Sequence, residues 1–160
     1  MDLSNQNKKL ETHSYFIHAH WSGSTSSGYQ NYDRTHKIFC PTTLDSIDIS
    51  ADPAFLGNPN LLNPEQLLLM AAVSCQLLSF LALAARARIE VSNYTDKAEA
   101  FMDETITPVR INLIRLHTNI FLREKEPEDK ILRLVNLAHE ECFVANTLNC
   151  EMEIIPKLIF

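Results

Sequence analysis

Two of the four cysteines sit in local sequences that suit thiol chemistry. Cys75 ends the run Asn63-Pro64-Glu65-Gln66-Leu67-Leu68-Leu69-Met70-Ala71-Ala72-Val73-Ser74-Cys75, a helix start followed by an apolar stretch. Cys142 lies in Ala138-His139-Glu140-Glu141-Cys142-Phe143-Val144-Ala145-Asn146-Thr147-Leu148, near a helix end. A thiol on a buried helix with a second thiol at a helix end suggests a redox pair rather than a structural bridge. Cysteine also packs as a small, inert hydrophobe, and that reading stands for either thiol taken alone. Cys40 and Cys150 lack comparable surroundings and read as structural or incidental thiols.

The elements that must position the pair are legible from patterning. Residues 13 to 21 alternate at period two and read as a strand, followed by the polar loop Ser22 to Gly28. Tyr32 to Phe39 and Leu44 to Ile49 read as two further strands, and Asp52 to Asn60 as a connecting loop. Asn63 is a good N-cap, Pro64 suits the first helical position, and Glu65 suits the positive end of the helix dipole. The helix is expected to run to about Arg88. It is apolar on nearly every face and should be surrounded by protein on all sides, more than one chain of this size readily supplies. A dimer in which the helix packs on its symmetry mate meets that demand. Ile89 to Glu104 and Val109 to Leu122 read as long strands joined by a turn near Thr107-Pro108. Glu126 to Asp129 opens a second helix with Ile131, Leu132, Leu134, Val135 and Ala138 inward, and Cys150 to Leu158 is a final strand. This order is α+β rather than doubly wound.

Bulk properties narrow the function. At 160 residues, with 46% apolar and 21% charged residues, the chain reads as a polar extension over 1–12 and a single domain over 13–160. A net charge of -6 without a basic stripe argues against nucleic-acid binding. The polar stretch Met1 to Glu11 has no apolar core and is not a signal peptide, so a cytoplasmic, reducing location is expected. The apolar stretch Leu67 to Ala85 is of marginal length for a bilayer and is broken by Ser74, Gln76 and Ser79, so no membrane span is expected. His18 and His20 share one strand face, and His139 precedes Cys142 by three. Without a Cys-x-x-Cys pair, neither arrangement leads to an expected metal site. No phosphate-cradling glycine loop is present, and no cofactor is expected.

The Asn-Pro-Glu-Gln-Leu-Leu opening of the Cys75 helix and the Ala-His-x-x-Cys-Phe-Val-Ala-Asn-Thr-Leu segment around Cys142 resemble the two motifs of the OsmC/Ohr family of thiol-dependent peroxidases. The resemblance spans roughly Tyr15 to Pro156 and has both motifs in the right order. It implies an OsmC-like fold, with antiparallel sheets wrapped around long central helices in an intertwined homodimer. It also implies reduction of organic hydroperoxides, or hydrogen peroxide, by a cysteine pair. Cys75 would be peroxidatic and Cys142 resolving, with Glu65 and an arginine, best matched by Arg34, as helpers. The implied reductant is a dithiol, from a dihydrolipoyl or thioredoxin-like protein. Gln76, Phe143 and the lack of a Cys-Pro start to the second motif set this chain apart from the best-known branches, and these differences bear on substrate preference.

The chemistry explains the residue types. Only a thiolate attacks a peroxide, and burial on an apolar helix works against the thiolate. A guanidinium such as that of Arg34 would oppose burial, with Glu65 holding it in place. Cys75 sulfenic acid would then be trapped by Cys142 before overoxidation. Glu65 and Cys75 are ten residues apart, roughly 15 Å along a helix. One guanidinium can hardly touch both on one helix, so a composite site across an antiparallel dimer is expected. The other reading is a non-catalytic OsmC-like dimer that binds an apolar ligand beside Cys75 or senses redox state. Glu65 as mere helix starter and Arg34 as mere surface charge are the corresponding bland readings.

Overall fold

The computed structural model describes residues 12–160, and the chain divides into two compact units, one ending at Leu62 and one spanning Asn63–Phe160. The expected polar stretch Met1 to Glu11 lies outside the described residues.

The first unit carries a three-stranded antiparallel sheet, β1 (His18–His20), β2 (His36–Phe39) and β3 (Ser46–Ile49), in that order. All three strands are shorter than the alternation predicts. β1 pairs His18 with Phe39, Ala19 with Ile38 and His20 with Lys37, and β2 ends at Phe39, so residues 12–17 have no partner in this sheet and are exposed. β3 begins only at Ser46 because Leu44 is in the left-handed region (φ 62°), inside a turn closed by the Cys40 N–H on the Asp45 carbonyl. A single 3₁₀ turn, Pro53–Phe55, is capped by Asp52.

The second unit holds α1 (Pro64–Arg86), β4 (Val91–Met102), β5 (Ile111–Leu122), α2 (Glu128–Glu141), α3 (Phe143–Thr147) and β6 (Glu151–Ile159). α1 starts where the sequence predicts. Asn63 accepts from the Gln66 N–H at 2.8 Å and the Gln66 side chain accepts from the Asn63 N–H at 3.1 Å, a complete capping box. It stops at Arg86, short of the expected Arg88, because Arg88 takes a left-handed conformation (φ 57°) that turns the chain into β4. β4 and β5 pair antiparallel along almost their whole length. β6 then joins β5 in parallel, so this sheet is mixed where antiparallel sheets were expected. α2 and α3 together form the helical crossover that a parallel β5–β6 pairing requires.

The core lies where α1 and α2 cover one face of this sheet. Phe80, Leu83 and Ala84 of α1 pack with Ile120 and Leu122 of β5 and with Ile131, Val135 and Ala138 of α2. Ala72 clusters with Ile114 and Leu116. By length and composition α1 would cross a bilayer, with mean hydropathy 2.2 in its most apolar window. Its inner stripe instead packs into protein: Ala72, Gln76, Phe80, Leu83 and Ala84 are buried. Burial on all sides is not met within one chain, because only 28% of that window is buried. One three-stranded sheet and one helix cover a single side, leaving Met70 and Leu78 about half exposed or more, at 50% and 62%.

Candidate functional site

α1 and α2 bring the two motif cysteines together. Cys75 lies mid-helix on α1, one position before the buried Gln76. Cys142 is fully buried, at 0% exposure, where it both ends α2 and caps α3. Its sulfur accepts from the Ala145 N–H at 3.4 Å and lies within hydrogen-bonding reach of the Cys75 thiol. Cys40, Cys75, Cys142 and Cys150 all carry free thiols. Burial first, and then the hydrogen bond and charge of Cys75, push the Cys142 thiol up to about 11, against the smaller pull of the Ala145 and Val144 N–H groups. Cys142 is therefore a neutral thiol at ordinary pH and a hydrogen-bond donor to whatever sits beside it.

Cys75 opens into a cavity of about 560 Å³. Leu78, Ser79 and Ala82 line it from α1, with Phe143 and Asn146 of α3, and Arg86 and Glu141 add one cation and one anion. Arg86 was not singled out from sequence, although positions 75, 79, 82 and 86 share one helical face. Its spacing was the available signal.

Glu65 does not join this cavity. It lines a separate one of about 420 Å³ near the start of α1, with Leu68, Met102, Arg110, Leu148 and Cys150. Its Oε2 is buried there without a hydrogen-bond partner. The second unit thus carries two partial sites toward opposite ends of α1, one with the thiol pair and one with the carboxylate. Burial raises the Cys150 thiol pKa, a surrounding the sequence did not reveal.

Arg34 belongs to the first unit, where it is held rigidly. Its guanidinium donates to the Tyr32 carbonyl at 2.9 Å and the Tyr29 carbonyl at 2.6 Å. It also stacks on both tyrosine rings, 4.0 Å from the Tyr32 centroid and 4.8 Å from that of Tyr29. Trp21 packs edge-on against Tyr32 and donates to the Asp33 carbonyl, bracing the loop from β1. The two tyrosines form a clamp on this cation. Arg34 is 9% exposed, too buried for an ordinary surface charge. Among the described residues no three His, Cys, Asp or Glu side chains gather as a metal site.

A mixed sheet carrying a central apolar helix, with paired thiols between that helix and the next, defines a small α+β protein with a two-cysteine site. The chain belongs to the OsmC-like protein family, whose model matches residues 57–157. An OsmC-like protein of unknown function from Vibrio cholerae has the same fold, with a TM-score of 0.79 at 25% identity over 92% of this chain and 100% of that one. An OsmC-like protein from Mycoplasma pneumoniae gives 0.73 at 17% identity over 94% and 100%. An organic hydroperoxide resistance protein OsmC from Legionella pneumophila gives 0.70 at 17% identity over 94% and 99%. No curated protein sequence matches the chain.

Proposed function

We propose that this protein is a cytoplasmic thiol-dependent peroxidase that reduces organic hydroperoxides, with residues 13–160 acting as one OsmC-like domain. The observation that carries this reading is the meeting of a pocket-facing Cys75 with a buried, neutral Cys142. The hydroperoxide resistance proteins among the structures that share the fold support it further.

In the proposed cycle the Cys75 thiolate attacks the outer peroxide oxygen, and the alcohol leaves with that bond's electron pair and a proton. Cys75 becomes a sulfenic acid. The Cys142 sulfur then attacks the Cys75 sulfur, forming a disulfide and releasing water. Burial suits Cys142 to the second role, since a protonated thiol does not compete for peroxide. An external dithiol, of the dihydrolipoyl or thioredoxin-like class, returns the pair to thiols through a mixed disulfide. Leu78, Ala82 and Phe143 make the Cys75 cavity apolar, which favours bulky organic peroxides over hydrogen peroxide.

The proposal extends to a homodimer with composite sites. The exposed apolar stripe through Met70 and Leu78 needs cover, and a second copy of α1 supplies it. In an antiparallel pairing the Glu65 end of one helix approaches Cys75 of the other, joining the two partial sites. Arg34, already held by Tyr29 and Tyr32, is the guanidinium proposed to favour the thiolate, with Glu65 as its anchor.

The test is consumption of cumene hydroperoxide and hydrogen peroxide by the reduced protein with dihydrolipoate as donor, beside Cys75→Ser. Consumption lost in the variant, and faster with cumene hydroperoxide, is the expected result. If single-turnover peroxide leaves the thiols free, the enzyme reading fails in favour of a dimer that binds an apolar ligand.

A further inference from the structure

Gln76, the residue after Cys75, is 1% exposed, and its amide is only half satisfied. Nε2 donates to the Val135 carbonyl of α2 at 3.2 Å, while Oε1 is buried without a partner. Turning the amide over does not help, because a carbonyl can accept only from the NH₂ end. An orphaned acceptor therefore remains on α1.

The sheet presents a second one. Asp96 of β4 accepts at Oδ2 from the Thr118 hydroxyl at 3.1 Å and the Tyr94 hydroxyl at 3.2 Å, whereas Oδ1 is buried without a partner. Gln76 is on the buried stripe of α1, and Asp96 is on the same half-buried face of β4 as Tyr94 and Ala98. Phe80 of α1 packs on Tyr94 of β4 with ring centroids 6.0 Å apart, in the cluster that also holds Ile120, and Ala72 clusters with the two rungs Ala98–Leu116 and Ala100–Ile114. The Asp96–Thr118 rung lies between the Tyr94–Ile120 and Ala98–Leu116 rungs. Four residues advance roughly 6 Å along a helix, and two residues roughly 7 Å along a strand. From the Phe80–Tyr94 contact, Gln76 is one helical turn back along α1 and Asp96 two residues on along β4, which sets the two orphans on the same stretch of the helix–sheet layer.

Two buried acceptors on the same stretch of this layer call for a proton between them. We propose that Asp96 is protonated in the folded protein and donates from Oδ1 to Gln76 Oε1. Gln76, tied to the sheet at one end and to Val135 at the other, is then the positioning residue that sets the rotation of α1, and so of Cys75, against Cys142. The inference rests on the Cys75–Cys142 pairing of the proposed site, but not on peroxidase activity.

Burial raises the Asp96 pKa and outweighs the opposing hydroxyl bonds from Thr118 and Tyr94. The other ionisable groups around it are few. Tyr94 is itself pushed up to about 12, mainly by burial, and stays a donor. His117 lies on the next strand, and its charge opposes protonation. Between Glu65 and Arg86, α1 carries no charged residue and only Cys75 as a titrating group. α2 turns Ile131, Val135 and Ala138 inward, and Arg133 and His139 are its ionisable residues within four positions of Val135.

Two measurements test this. An infrared spectrum of the folded protein at neutral pH should contain a carboxylic-acid C=O band that Asp96→Asn removes. Binding of phenylarsine oxide, which bridges two nearby thiols, reads the sulfur spacing without redox chemistry. Gln76→Leu and Asp96→Leu should each weaken that binding about tenfold, whereas Asp96→Asn, which keeps a donor toward Oε1, should rescue it. The wild-type affinity should also fall, relative to Asp96→Asn, as pH rises through the Asp96 pKa. No acid band, or wild-type binding by a folded Gln76→Leu, overturns the proposal. Failure of peroxide consumption with these results intact would overturn the enzyme reading alone.

Discussion

The Cys142 thiol, buried where α2 hands over to α3, lies in hydrogen-bonding reach of the Cys75 thiol on α1. The motifs around these thiols are 67 residues apart in sequence (142 − 75), and the contact exists only because α1 and α2 pack side by side on one sheet. One thiol faces a cavity and the other has no solvent exposure, an asymmetry that assigns different chemistry to each.

If Cys142 resolves the oxidised Cys75, Cys142→Ser leaves the first step intact and blocks the second. One equivalent of cumene hydroperoxide should then leave a sulfenic acid at Cys75 that dimedone labels. Excess peroxide should carry it on to sulfinic acid. Mass spectrometry that finds no dimedone adduct on Cys75 in this variant would rule out the assigned order.

The thiols should separate by pH. Backbone and side-chain hydrogen bonds from Thr43, then Thr42, lower the Cys40 thiol pKa, while Cys142 sits at about 11. Iodoacetamide at neutral pH is expected to modify Cys40 well before Cys142, and unfolding should abolish the difference. The raised Cys142 value also has a stability sign. The folded state holds its proton longer than the unfolded state does, so the contribution is complete below the ordinary 9.0 and is lost as pH rises through about 11. Cys142→Ala should flatten the alkaline limb of a denaturation profile.

Composite sites make activity depend on association. Leu78→Asp places a charge on the exposed stripe of α1 and is expected to weaken dimerisation in analytical ultracentrifugation, with peroxide turnover falling in parallel. Glu65→Gln should lower activity while leaving the sedimentation and unfolding profile of the wild type. Unchanged kinetics for Glu65→Gln would remove the carboxylate from the mechanism.

Stability should concentrate in the α1–sheet contact. Phe80 is 1% exposed and packs on Tyr94 with ring centroids 6.0 Å apart, so Phe80→Ala should cost about 3–5 kcal/mol in urea denaturation. Asn63→Ala removes half of the capping box and should cost about 1 kcal/mol. Equal effects from the two substitutions would contradict this placement of the core.

The α+β order, the start of α1 and the two cysteine motifs were legible in the chain, because each depends on local patterning: a cap, a helical repeat, a thiol in its context. Alternation overran β1 and β3, since it marks a capacity for strand pairing while the partner's length decides how much is used. β1 begins only at His18 because its partner β2 ends at Phe39, and β3 starts at Ser46 only after the left-handed Leu44. Parallel entry of β6 depends on which strand edge is free, and residue type does not encode that. The site divided in the same way. Cys75, Cys142 and Glu65 could be named from motifs, but that Glu65 opens into a different cavity from Cys75 follows from the packing of α1 against its neighbours. Folding alone enclosed Arg34 between two tyrosines and left Gln76 and Asp96 each with a buried acceptor unpaired, because burial and missing partners are properties of packed surfaces rather than of residues in a row.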